Sequence, residues 1–180
     1  MWIVAGVLAV ILIVLIVWYI STANAFRRAA VKIQEAASGI DVALTKRYDT
    51  LVKLLDIAKG YAKHEKETLL ETVRLRSDMT MGERSAASQA MDSAMGRIHV
   101  LAEAYPELRS NENFRQLQVA VMDVEEHLQA ARRLYNGNVS AYNQMLVLFP
   151  KSIVAGMMHL TAKEFFEAEP VKRGDVKMEF

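Results

Sequence analysis

Apolar residues fill almost every position from Trp2 to Ile20, and past Phe26 they thin to a recurrence of three and four. No charged side chain falls between Met1 and Phe26. At ~1.5 Å rise per residue, roughly 20 such residues match a hydrocarbon core of ~30 Å. Trp2 at one end and Trp18 with Tyr19 at the other stand where amphipathic rings prefer the headgroup zone. The pattern predicts a transmembrane anchor over residues 1–25. A cleaved signal peptide competes with it, because Ala23-Asn24-Ala25 has the form of a cleavage site. Two features weigh against cleavage: there is no basic leading segment, and the apolar run exceeds the roughly 7–15 residues of a signal core.

Beyond the anchor the spacing is helical. Ile33, Ala37, Ile40, Leu44, Tyr48, Leu51, Leu55, Ala58 and Ala62 form one stripe, with Gly39 the one strong breaker between Ala25 and Lys59. The anchor is therefore expected to run unbroken into a stalk, with Gly60 as its stop. A second helix is expected around Leu69, Leu70 and Val73. Thr80-Met81-Gly82-Glu83 fits a capping box and predicts a fresh start, continued by Ala86, Ala90, Ala94, Ile98 and Leu101 until Pro106 ends it. Another long helix is expected from Ser110 or Asn111 to Pro150, burying Phe114, Leu117, Val121, Val124, Leu128, Ala131, Tyr135, Tyr142, Met145 and Phe149. Ile153–Leu160 predicts one short helix more. Long helices joined by short connections predict an all-α fold, an antiparallel bundle of the coiled-coil kind. The expected organisation is an anchor at 1–25, a bundle at 26–168 and a charged tail at 169–180.

Charge sets the orientation. The first charged residues after the span are Arg27, Arg28 and Lys32. The positive-inside rule predicts the N-terminus outside and the body in the cytoplasm. These three side chains serve either as a plain stop-transfer flank or as contacts to anionic headgroups.

Composition narrows the classes. The 180 residues carry Lys+Arg 22 against Asp+Glu 21, a net charge of +1, so nothing marks a nucleic-acid partner. At 52% hydrophobic, with Gly 8 and Pro 3, the chain suits long helices rather than disorder or an all-β fold. Cys 0 removes a disulfide framework, a thiolate metal site and a cysteine nucleophile together.

Chemistry-bearing motifs are missing. No two glycines stand two apart, and no phosphate loop of the G-x-x-x-x-G-K-[ST] type occurs. His64-Glu65 opens like H-E-x-x-H, but position 68 is Thr68. No His has a Glu three residues before it, which a di-metal bundle site requires. Glu125-Glu126-His127 and Glu164/Glu167/Glu169 read as solvated charged faces, and the Met residues, 10 in all, as core and loop filling rather than a docking groove. Neither a catalytic site, a cofactor site nor a metal site is expected.

Several blocks resemble a known family. They are Ile40-Asp41-Val42 with Lys46-Arg47-Tyr48-Asp49, then Gly60-Tyr61-Ala62 with His64-Glu65, then Ala102-Glu103-Ala104-Tyr105-Pro106-Glu107-Leu108 with Asn111, Asn113 and Phe114. Ala131-Arg132-Arg133, Tyr135-Asn136, Tyr142-Asn143, Phe149-Pro150 and Phe166-Glu167-Ala168 continue the match. With the apolar first segment, this resembles the LemA family over nearly the whole chain; Ser77–Ser88 departs from the pattern. The resemblance implies a bacterial single-pass membrane protein with a cytosolic helical bundle and no established enzymatic activity. It also implies gene neighbours that include a membrane metalloprotease, and a magnetosome relative connected with organising membranes. Physically, Tyr48, Tyr61, Tyr105, Tyr135 and Tyr142 are expected to bury their rings, and Asn136 and Asn143, seven apart on one face, to hydrogen-bond across the bundle.

The leading expectation is a self-associating scaffold in the bacterial inner membrane, with lipids and further copies of itself as partners. A regulatory adaptor of another membrane protein, such as a protease, is the alternative, with Ala5, Gly6 and Ala9 allowing close packing in the span. An enzyme is the least favoured reading.

Overall fold

A computed structural model describes residues 1–58, 60 and 79–167. Helix α1, Trp2–Ala58, is a single helix of 57 residues, about 85 Å long at ~1.5 Å per residue. Helix α2 is Met81–Ala104, α3 is Pro106–Ser110, α4 is Glu112–Val147 and α5 is Lys151–Met157. No strand occurs among the described residues, and the architecture is all-α. The expected helix around Leu69–Val73, Tyr61, Ala62, His64 and the 169–180 tail lie outside the described residues.

Local signals set the helix ends. The Gly60 amide donates to the Ile57 carbonyl (3.2 Å) just past the end of α1. Thr80 and Glu83 form the anticipated capping box, with Glu83 N donating to Thr80 Oγ1 (3.2 Å) and Thr80 N to Glu83 Oε2 (2.7 Å). Tyr105 is extended (φ −122°, ψ 90°), as a residue before proline prefers, and Pro106 opens α3. Asn111 caps α4 by accepting from the Phe114 amide (3.1 Å).

Residues 3–17 of α1 are exposed along their whole length, and bundle packing begins at the buried Thr22 and Ala23. Helix α4 runs antiparallel to α1: Phe26 meets Tyr142, and Asn138 reaches the Lys32 carbonyl. Helix α2 runs parallel to α1, since Asp41 pairs with Arg84 and Arg47 with Asp92.

The core has two apolar layers. Next to the span, Phe26, Ile33, Ile40 and Leu44 pack on Leu128, Tyr135, Val139 and Tyr142. Farther out, Leu51, Leu54 and Leu55 pack on Met91, Ile98, Leu101, Leu108 and Phe114. Phe26 meets Tyr142 edge-on at 5.8 Å and 81°, an arrangement worth about 0.5–1.5 kcal/mol beyond the burial itself.

Some expectations shift. Of the stripe expected along α2, Ala94, Ile98 and Leu101 are buried and Ala90 half-buried, whereas Ala86 is exposed and its neighbours Ser85, Ala87 and Ser88 are buried. Tyr105 is exposed rather than buried, because the break before Pro106 swings it out of the helix. Phe149, expected in the core, is 81% exposed. Helix α4 releases the chain at Val147, since the residue before Pro150 is disfavoured in the α region, and the stripe does not continue past that release. Helix α5 begins earlier and ends earlier than Ile153–Leu160. It ends on two bonds, from Leu160 N to the Ala155 carbonyl and from His159 N to the Gly156 carbonyl, with His159 left-handed at φ 51°. An extended strap, residues 160–167, follows it.

Candidate functional site

One face of α4 carries Arg132, Tyr135, Asn136 and Asn143, and the strap lies against it. Asn136 Nδ2 donates to the Phe166 carbonyl (3.0 Å) and its Oδ1 accepts from the Phe166 amide (2.9 Å). Asn143 repeats this with Lys163, at 2.9 and 2.8 Å. A carboxamide presents one donor and one acceptor side by side, which matches the edge of an extended chain. The spacing matches too. Seven residues of helix rise ~10.5 Å, and the three steps from Lys163 to Phe166 span about 9 Å in a chain of threefold, polyproline-like repeat, the kind that turns residues i and i+3 to the same side. The two asparagines therefore bond not to another helix, as their shared face implied, but to backbone that has no ladder partner of its own.

Further contacts lock the strap. Tyr135 donates its hydroxyl to the Glu164 carbonyl (2.9 Å), and burial raises that hydroxyl's pKa above its ordinary value, with Arg84 opposing the shift. Phe166 is buried in the first core layer beneath the Arg132 guanidinium, 4.7 Å from the ring centre. The Glu167 amide donates to Ser85 Oγ (3.2 Å), which ties the strap to α2. A half-open groove of about 500 Å³ lies between the strap and α2, lined by Gly82, Ser85, Gln89, Glu164 and Phe165 among others.

Two ionic clusters brace the helices. Arg84 grips Asp41 through Nε to Oδ1 (2.5 Å) and Nη2 to Oδ2 (2.8 Å), and its Nη1 donates to the Met79 carbonyl. This bond to Asp41 raises the Arg84 pKa further, against the opposing effect of burial. Arg47 is buried between the two apolar layers. It donates to Ser88 Oγ (3.2 Å) and to Asp92, and its Nη2 stands 2.9 Å from Glu125 Oε2. That last contact is an ion pair whose angle is off line for a hydrogen bond, and Nε has no partner among the described residues. Glu125, expected on a solvated face, is thus half-buried against a cation from α1. No sequence period announces this pairing.

The residues expected to flank a membrane all lie on α1. Arg27, Arg28 and Lys32 are exposed, Trp2 is exposed at the far end, and Trp18 and Tyr19 are half-buried where the bundle begins. The helix is long and apolar enough to cross a membrane, with a mean hydropathy of 3.1 in its most apolar window. Among the described residues no group of His, Asp or Glu gathers as a metal site.

Comparison with known proteins adds the relatives. The chain is 28% identical over 163 residues to Protein LemA of Metamycoplasma hominis, which covers 88% of this chain and 74% of that one. It is 23% identical over 84 residues to the Magnetosome protein MamQ of Magnetospirillum gryphiswaldense, 47% of this chain and 31% of the relative. Magnetosome protein MamQ 2 of Paramagnetospirillum magneticum is 24% identical over the same shares. The model of the LemA family matches residues 36–180, so from the Ile40-Asp41-Val42 block through the strap and beyond, this chain belongs to the LemA family.

Proposed function

We propose that this LemA-family chain is a non-enzymatic scaffold in the bacterial plasma membrane, whose copies associate laterally and so organise or shape the bilayer. The observation that carries the reading is the continuity of α1. One helix joins the exposed apolar segment to the bundle with no loop between them, so the body is held at a fixed distance from the apolar segment. Such a rigid body offers its flanks to neighbours. Val100, Val119, Met122 and Leu134 are exposed there by 61–71%, which suits many weak contacts between copies. The exposed Arg27, Arg28 and Lys32, by the positive-inside rule, support a reading with the bundle in the cytoplasm and the N-terminus outside.

A second reading has the chain as an adaptor of another membrane protein, such as a protease. Ala5, Gly6 and Ala9 are exposed on α1, and a side chain added at Gly6 would meet nothing, so a partner helix has room to approach closely. Crosslinking in native membranes followed by purification separates the two. Recovery of crosslinked copies of this chain is the expected result. Stoichiometric recovery of a different membrane protein, with no self-crosslink, overturns the scaffold in favour of the adaptor.

A further inference from the structure

The turn between α4 and α5 exposes an apolar corner. Val147 is 76% exposed, Leu148 58% and Phe149 81%. Ile153 and Met157 continue it at intervals of four along α5, whose other face buries Val154 and Ala155. In water this is an unfavourable patch, and its place in the fold says what covers it. Phe26 lies against Tyr142, and α4 runs antiparallel to α1. Seven residues back along α1 is Tyr19, and seven residues on from Tyr142 is Phe149, so the corner comes level with Trp18 and Tyr19, where the apolar span ends. Helix α5 packs against α1 at this end of the bundle. Lys151, at the start of α5, is exposed, as are Arg27 and Arg28 on α1. An apolar tip with cations beside it fits the boundary between acyl chains and anionic headgroups.

We propose that the corner at Leu148 and Phe149, together with the Ile153 and Met157 face of α5, inserts into the bilayer boundary beside α1, as a second membrane contact on the bundle itself. It turns a body held at one point into a body held at two, which fixes its tilt relative to the membrane plane. The inference rests on α1 lying in a bilayer, and the experiment reads that separately.

The chain has no Cys, so single cysteines introduced into the full-length protein can carry an environment-sensitive fluorophore. Phe149→Cys and Ile153→Cys report on the corner and Leu12→Cys on the span. Asn113→Cys, about 54 Å from Phe149 along the chain's helical rise and exposed, is the distal control. The labelled proteins are placed in phosphatidylcholine–phosphatidylglycerol vesicles with nitroxides at shallow or deep positions on the lipid. The expected result is several-fold stronger quenching by shallow nitroxide at positions 149 and 153 than at 113, with protection from aqueous iodide. Quenching at 149 equal to that at 113, while position 12 is quenched by deep nitroxide, overturns the inference and leaves the anchor standing. A label shielded from iodide but untouched by lipid nitroxide means that a second copy covers the corner, which also overturns it. An unquenched position 12 removes the anchor and the corner contact together.

Discussion

Asn136 on α4 and Phe166 on the strap exchange two hydrogen bonds, 3.0 and 2.9 Å long, as two neighbouring strands of a sheet would. Asn136→Ala leaves both backbone groups of Phe166 without a partner at a half-buried position, and a cost of about 1–3 kcal/mol is expected. Asn143→Ala acts at an exposed site and should cost less. Amide hydrogen exchange at Phe166 and Glu167 is the direct readout, and it should speed markedly in Asn136→Ala. Unchanged protection there would show that the Phe166 ring alone holds the strap.

Arg47 faces two carboxylates, so either can serve when the other is lost. Asp92→Asn or Glu125→Gln alone should cost on the order of 1 kcal/mol, since both acids are partly exposed. The double variant leaves a buried guanidinium unpaired and should cost about 2–3 kcal/mol, more than the two single costs together. Arg47→Met removes the buried charge and keeps an apolar stem, so it should cost less than the double variant. Denaturant melts of the four proteins test this order, and Arg47→Met ranking worst would contradict it.

His159 sits left-handed at φ 51° to close α5. An L side chain in that region costs roughly 1–2 kcal/mol, partly offset by the greater chain entropy of glycine. His159→Gly should therefore stabilise by about 0.5–1 kcal/mol, read as a rise in melting temperature. A fall would mean that the imidazole makes a contact worth more than the strain.

The sequence made the locally coded parts legible. Thr80 with Glu83, Asn111 and Pro106 act through neighbours within four residues, so their roles follow from spacing alone. The stripe along α1 was legible for the same reason, since a helix face repeats. Arg47 and the strap were not. A buried arginine between two apolar layers looks like any surface charge until Asp92 and Glu125 are brought to it from two other helices. The strap carries no period, and its partners lie 20 to 30 residues back along the chain. The Tyr135-Asn136 and Tyr142-Asn143 blocks did mark the right residues, but the group they bind is backbone, which has no sequence signature. Phe149 failed for the opposite reason: the apolar period ran on while Pro150 had already ended the helix.

The proposed topology rests on Arg27, Arg28 and Lys32, which all lie exposed just beyond the apolar segment. Moving them across the membrane opposes both the potential and the anionic inner leaflet. Protease added to intact spheroplasts should leave the bundle uncut, and lysis should expose it. Replacing the three with Gln and adding Lys before Trp2 should raise the inverted fraction. Digestion of the unaltered bundle in intact cells would reverse the assignment.

Self-association is the central claim, and a mass measured in lipid nanodiscs large enough for several copies tests it most directly. A bundle that offers Val119, Met122 and Leu134 to its neighbours should give complexes of defined, multiple mass at micromolar protein, and substituting those residues with Ser should shift the mass toward one copy. A single copy of the unaltered chain per nanodisc at that concentration would contradict the scaffold.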